Sequence, residues 1–368
     1  MHHQPVSAKQ IIETHYSEYL HASFITQSEL EELLVLLEII SKSNQVLHWT
    51  SHDIREMLPP IVDLKEKVSS AEKRIERFYQ RQFSGDQRSQ EWLKQRMNYI
   101  TASVSACCAG LMGASARENE VLGKATWGKF RPFTGGYYTD KGNIFEPVTN
   151  AYYCWRNNCV IHEFNLIPHE SKEFAFLGAS TDGVTDGLVN IEIKTLVGRK
   201  LDPKKFKTEY WHQMQHQMEC LNLSITDFIE VKYDDGADPA ILEADSEHAK
   251  GVIIESYDVE TNFYDYIYSD VSMQFGHKHW EKEQVEKLRS SKNLIYLRTI
   301  YWNMTGYLCR RVERDPKWLE TMGPQLKKFW KEVQDLRADP VALRQRIRKK
   351  NTQGKQRKYT DLPEKCLL

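Results

Sequence analysis

Hydrophobic and polar positions divide the chain into stretches of different period. Over residues 6–83 the apolar positions recur at helical spacing. Leu30, Leu33, Leu34, Leu37 and Ile40 form a broad stripe behind Ser28 and Glu31, which fit a capping box. Pro59-Pro60 interrupts the chain, and residues 62–83 resume as a charged amphipathic helix. Residues 1–85 therefore read as a helical N-terminal extension. Over residues 86–257 the two periods mix. Residues 146–155 suit a helix, 160–166, 174–177 and 189–195 suit strands, 206–221 a long helix, and 228–233 and 251–257 strands again. That order predicts an α/β core with a mixed central sheet flanked by helices. Residues 258–340 read as a helical C-terminal segment packed on that core, and 341–368 as a basic, disordered tail.

Composition narrows the class. In 368 residues, 40% are hydrophobic and 27% charged, enough apolar material for a large core and far from a disordered or low-complexity chain. No secretory signal and no run of about 18 apolar residues stands out, so a soluble intracellular protein without a membrane partner is expected. There are 7 cysteines, with Cys107 and Cys108 adjacent and no CxxC, which argues against a disulfide framework or a zinc ribbon. The charges nearly cancel, 50 basic against 51 acidic, but they are not evenly spread. Arg344, Arg346, Arg348, Lys349, Lys350, Lys355, Arg357 and Lys358 form a block without an acid. It reads as an arm for nonspecific DNA binding centred on Arg346, Arg348, Lys349 and Lys350, as a solvated helix end with a loose tail, or as a nuclear-import signal.

The chemistry gathers in residues 178–194. Asp182 follows a predicted strand in a turn flanked by glycine. Ten residues on, Glu192 and Lys194 stand two apart on the next strand. Period two puts Glu192 and Lys194 on one face, with Ile191 and Ile193 turned into the core. Converging carboxylates repel and call for a cation, and hard oxygen ligands suit Mg²⁺ or Mn²⁺. A lysine beside the ion can orient or deprotonate a water, which is a set of tools for phosphodiester hydrolysis. Farther along the chain, His212 and His216 are four apart on a helix. Without an HExxH they make no zinc site and are expected to face solvent.

Asp182 followed by Glu192-Ile193-Lys194 resembles the PD-(D/E)xK nuclease signature, with Thr181 in place of the proline. Around it lie Glu91-Trp92, Arg96, Ile100 to Ser103, Lys141 to Pro147, Gly178 to Gly183 and Tyr210 to Met218. This ordered set is similar to the phage lambda-type exonucleases, including YqaJ-like viral recombinases and the alkaline nucleases of large DNA viruses. The resemblance implies a restriction-endonuclease-like core and assigns roles. Asp182, Glu192 and the Ile193 carbonyl would hold metal, Lys194 would position the attacking water, and Glu146 would be the additional acid. Gln213 would face the active site from the long helix. Arg96, Ser103 and Ser180 would receive a 5′-phosphate. Glu146 also has a plainer reading as a charge at a helix start, because Pro147 follows it.

The expected function is a Mg²⁺-dependent DNA exonuclease using two ions, with Mn²⁺ as a substitute. It would cut linear duplex ends 5′→3′ and leave 3′ single strands for viral-type recombination. A single-strand annealing protein is the implied partner. Trimers occur among the phage relatives, and a nucleus or viral replication compartment is the implied location. The rivals are a structure-selective endonuclease or an RNase on the same core, and a non-catalytic nucleic-acid-binding module.

Overall fold

The structure is a computed structural model that describes residues 25–44, 58, 61–62, 64–84, 90–130, 135–240, 248–271 and 277–360. The chain separates into two compact units, Met1–Glu76 and Arg77–Leu368. In the first, β1 (Ile25–Thr26) pairs in parallel with β2 (Ile61–Val62), and α1 (Gln27–Asn44) buries Leu30, Leu33 and Leu37 of the predicted stripe. Helix α2 (Leu64–Arg81) runs on into the second unit. The unit boundary thus falls inside a helix, ahead of the boundary at 85 that the sequence suggests.

The second unit begins with α3 (Gln90–Arg96), β3 (Ile100–Thr101), α4 (Ser105–Cys108), α5 (Ala114–Ala125) and α6 (Tyr137–Asn157). The short strands β4 (Ile161–His162), β5 (Ile167–Pro168), β6 (Leu177–Ala179) and β7 (Gly183–Thr185) lead to β8 (Asn190–Thr195). Helix α7 (Thr208–Leu221) then crosses to β9 (Ile225–Asp234). After it come β10 (Lys250–Asp258), β11 (Phe263–Tyr268), α8 (His277–Ser290), β12 (Leu294–Glu313), α9 (Trp318–Ala338) and α10 (Pro340–Thr360).

Among the described residues, seven strands form one mixed sheet in the order β11-β10-β12-β9-β8-β7-β4. Strands β8 and β9 are parallel, joined by the α7 crossover, and the other neighbours are antiparallel. Helix α6 covers one face through Ile144, Phe145 and Val148, which pack with Ile191, Ile193, Ile229 and Trp302. A second core joins Ile100, Leu177, Ala179 and Cys220 to Trp318, Leu326 and Phe329 of α9. The core is mixed α/β, as the order of helical and strand periods along the sequence predicts.

Three features depart from the sequence expectation. Residues 258–340 are not a helical appendage, because β12 lies in the middle of the sheet between β10 and β9. Its Ile300, Trp302 and Met304 are buried at period two, as a central strand requires. Residues 341–360 continue as helix α10, while 361–368 lie outside the described residues. Finally, α6 begins nine residues before Glu146, so Pro147 sits inside a helix rather than at its start.

His212 and His216 are both buried, against the expectation of a solvent-facing pair. His212 Nδ1 accepts from Trp318 Nε1 at 3.0 Å, and the His216 ring lies 5.7 Å from that of Trp318. Burial, aided by the nearby His169 and opposed by Glu219, pulls the His216 imidazole down to about 3. Its stability contribution is therefore complete above the ordinary histidine value of 6.5 and drains as pH falls toward 3. The unfolded chain takes up a proton there that the folded ring refuses. The expected loss is at most roughly 1.4 kcal/mol per pH unit. Urea titrations at pH 7, 5.5 and 4 should show a steeper decline for the wild type than for His216→Leu. Parallel declines would refute this account.

Candidate active site

Asp182 and Glu192 meet because β7 and β8 form a hairpin in which Gly183 pairs with Ile191. Asp182 stands at the open end of that ladder, where its Oδ2 accepts the Ile193 N–H at 2.6 Å. Gly183 makes this turn possible. Its φ is +152°, and an added Cβ would lie 2.3 Å from Ile161 Cγ2. Thr181, standing where the signature has proline, closes the turn by accepting the Gly183 N–H at 2.7 Å. An extended residue directs its N–H and C=O to the same side of the strand. The Ile193 carbonyl therefore faces Asp182, beyond the last paired residue of β7.

Glu192 is almost fully buried, although it lies on the face opposite the α6 core. Its carboxylate survives there because three donors bind it. Lys194 pairs with Oε1, Gln213 Nε2 donates to Oε1 at 2.7 Å, and Gln217 Nε2 donates to Oε2 at 2.6 Å. Gln217 also reaches the Ser180 carbonyl at 3.2 Å, and its own Oε1 accepts from Asn190 at 3.1 Å. Sequence reasoning chose Gln213 alone. Gln217 was missed although it sits four residues on, the spacing that shares a helix face. Asn150 was missed too. Its Nδ2 donates to the Asp182 carbonyl at 3.0 Å, one helical turn beyond Glu146.

The charges are unbalanced in a telling direction. Burial, then the Glu192 and Glu146 charges, push the Asp182 carboxyl well above the usual carboxylate range, outweighing Lys194 and the Ile193 N–H. Burial alone would lower Lys194, but Glu192 and Asp182 overcome it and hold the ammonium above the ordinary lysine range. Asp182 thus carries repulsion that a cation would relieve, and two carboxylates with a main-chain carbonyl are the hard donor set Mg²⁺ or Mn²⁺ prefers. Among the described residues, no three acidic, histidine or cysteine side chains close into one ligand cluster. Glu146 is felt by Asp182 as a charge but lies outside a direct three-acid shell. The residues present fit a divalent ion held by Asp182, Glu192 and the Ile193 carbonyl.

Arg96, Ser103 and Ser180, the residues expected to receive a 5′-phosphate, lie at or just past the ends of α3, β3 and β6. Strands β3 and β6 run parallel with Thr101 opposite Gly178, so Ser103 and Ser180 leave the same end of the pair. Ser103 is exposed, and the Ser180 hydroxyl is buried with no hydrogen-bond partner. Arg96 ends α3, and burial, partly offset by Glu120, lowers its guanidinium. The basic block is less available than its sequence suggests. Arg346 pairs with Glu118 at 2.6 Å and with Glu332 at 2.5 Å, and Lys350 donates to the Ser115 hydroxyl at 2.9 Å. Arg348 and Lys349 remain exposed. Two surface hollows, of about 550 and 800 Å³, are lined by none of the Asp182, Glu192 and Lys194 set.

With this geometry in hand, residues 91–227 match the family of the YqaJ-like viral recombinase domain. The matched stretch, over a third of the chain, holds Asp182, Glu192, Lys194, Gln213 and Gln217. An uncharacterized protein of Acanthamoeba polyphaga mimivirus is 26% identical over 294 residues, which cover 67% of this chain and 52% of that protein. The chain therefore spans about half the length of this curated relative. Among solved structures, the alkaline exonuclease LHK-Exo of Laribacter hongkongensis is similar at 21% identity and a TM-score of 0.42, over 68% of this chain and 95% of its own. LHK-Exo has also been solved with dAMP. A phage-related exonuclease of Haemophilus somnus aligns at 13% identity and a TM-score of 0.38, over 66% and 96% of the two chains. Among the described residues, no helix is long and apolar enough to cross a membrane.

Proposed function

We propose that this YqaJ-like domain is a metal-dependent deoxyribonuclease that degrades linear duplex DNA from its ends, 5′→3′. The observation that carries the reading is the convergence of Asp182, Glu192 and Lys194 at the open end of one hairpin. There Glu192 is held on both oxygens by glutamines from α7. Asp182, Glu192 and the Ile193 carbonyl would hold Mg²⁺, or Mn²⁺ in its place, with Glu146 near enough to serve a second ion through water. When bound, the metal would supply charge stabilisation to the phosphoryl group and acidify a water. The chain's own part is positional. Lys194 keeps its proton and orients a water or shields developing negative charge, while Gln213 and Gln217 hold Glu192 to one geometry.

The neighbouring serines support this polarity. Ser180 is two residues from Asp182, and its unpartnered hydroxyl with Ser103 offers donors at one side of the site. A terminal 5′-phosphate seated there, with Arg96 as its cation, would set which strand is cut. The exposed 3′ strand would suit a single-strand annealing partner in viral-type recombination.

The test uses linear duplexes with and without a 5′-phosphate beside a closed circle, in Mg²⁺ and in EDTA. Loss of the linear strand in Mg²⁺ only, at least tenfold faster from a phosphorylated end, is expected, with the circle intact. Nicking of the circle would replace this reading with an endonuclease, and digestion of an RNA strand added in parallel with the DNA left intact would replace it with an RNase. Binding without cleavage in any divalent ion would leave a nucleic-acid-binding module.

A further inference from the structure

Residues 196–207 leave the end of the strand that carries Glu192 and Lys194, and they enter the helix that carries Gln213 and Gln217. The segment holds Arg199, Lys200, Lys204, Lys205 and Lys207 against a single acid, Asp202. Its conformation is pinned from beneath. The Leu196 N–H donates to the Val231 carbonyl at 2.8 Å, extending the β8–β9 ladder. Arg310 of β12 donates to the carbonyls of Asp202 at 2.8 Å and Lys205 at 3.0 Å. Fully buried Glu230 holds both Arg310 and Arg199. Leu201 lies over Gly306, so close that a Cβ there would come within 2.6 Å of its Cδ1.

The loop shares one side chain with the active site. The Tyr210 ring centroid lies 5.2 Å from the Lys194 ammonium, 5.4 Å from the Lys207 ammonium and 5.9 Å from the Arg199 guanidinium. Within the loop Asp202 turns to the Lys204 N–H at 2.9 Å, and Lys207 pairs with Glu209 at 3.2 Å. Lys200, Lys204 and Lys205 are exposed, and among the described residues no carboxylate pairs with their ammonium groups. A solvated face needs no such scaffolding. Here a buried ion pair, a clamp on two carbonyls and a glycine seat hold like charges together beside Lys194. The loop also lies at the carboxyl end of a parallel strand, where open α/β sheets bind ligands.

We propose that residues 196–207 form a rail for the phosphodiester backbone of DNA. Lys200, Lys204 and Lys205 make the contacts, and Arg199 and Lys207 connect them through Tyr210 to the Lys194 side of the site. The occupant rests on the nuclease reading above. Ammonium groups on exposed side chains bind phosphate without reading bases, as an enzyme moving along any sequence requires.

The test compares the triple variant Lys200→Gln/Lys204→Gln/Lys205→Gln with wild type, a Lys→Arg triple at the same positions, and Lys282→Gln/Lys287→Gln/Lys292→Gln. Binding of a labelled duplex is followed in Ca²⁺ over a range of salt, and cleavage in Mg²⁺. Three lost contacts should flatten the plot of log affinity against log salt by about 2.7, from roughly 0.9 per phosphate. The KM for duplex should rise at least tenfold. The arginine triple should restore the slope, and the α8-side triple should leave it unchanged. Equal slopes for the first triple and wild type, or equal losses in both glutamine triples, would overturn the rail. A wild type that binds duplex and never cuts it would overturn the nuclease reading instead, while the slopes would still judge the loop.

Discussion

Replacing Asp182 with asparagine is expected to eliminate strand cleavage while making the metal-free protein more stable. Asp182 is held in the hairpin by an N–H from Ile193, a bond that an asparagine carbonyl can accept equally well. What asparagine removes is the negative charge, which burial, Glu192 and Glu146 all oppose. The gain should be roughly 1–2 kcal/mol, a few degrees in Tm in EDTA for a unit of this size. Cleavage, by contrast, should fall by on the order of 10⁴-fold, since that charge is what a metal would need. Glu192→Ala should lose as much activity for the opposite energetic reason. It strips the acceptor from Lys194, Gln213 and Gln217 at a nearly inaccessible position, which should cost roughly 3–5 kcal/mol. The two carboxylates are thus distinguished by stability although both are needed for cutting. Melting curves in EDTA beside cleavage rates in Mg²⁺ check the pair. An Asp182→Asn protein that melts lower than wild type would contradict the electrostatic account, and one that still cuts would remove Asp182 from the site.

The contrast between these residues also shows what the sequence could and could not reveal. Period two along β8 correctly put Glu192 and Lys194 on one face and Ile191 and Ile193 on the other, because strand geometry is local. It could not show that the polar face is buried as well, since that depends on α7 packing across it. Burial ties Glu192 to the fold as well as to the site, which its place on a polar strand face does not reveal. On α7 the Gln215 amide reaches the Glu313 carbonyl, while helical spacing of four places Gln217 beside Gln213. Strand β12 carried a readable signal in Ile295, Tyr296, Ile300, Tyr301, Trp302, Tyr307 and Val312, all suited to a pleated surface. Its charged and polar interruptions hid the period, and its partners β10 and β9 lie far away in sequence. The ion pairs of the basic block were hidden for a different reason. Arg346 meets Glu118 and Glu332 from distant helices, and no window along the chain brings those three together.

Gln213→Ala and Gln217→Ala are expected to slow cleavage by roughly 10- to 100-fold each, mostly in kcat, because they hold opposite oxygens of one carboxylate. Neither side chain carries charge, so neither supplies the negative charge that Asp182 and Glu192 would offer a metal. Their effect is to keep Glu192 from rotating when Lys194 or an incoming ion pulls on it. Once one oxygen is released the other bond loses much of its value, so the double variant should fall well short of the product of the singles. Stability should separate the two. Gln217 also binds the Ser180 carbonyl and accepts from Asn190, and Gln217→Ala leaves those buried groups without their partner. It should cost about 1–3 kcal/mol, while Gln213→Ala should cost less than 1. Single-turnover rates and melts of the two singles and the double form the cycle that checks this. Fully multiplicative rate losses would mean that the glutamines act on different groups. A Gln217→Ala protein cutting at the wild-type rate would mean that Glu192 is held firmly enough by Lys194 and Gln213 alone.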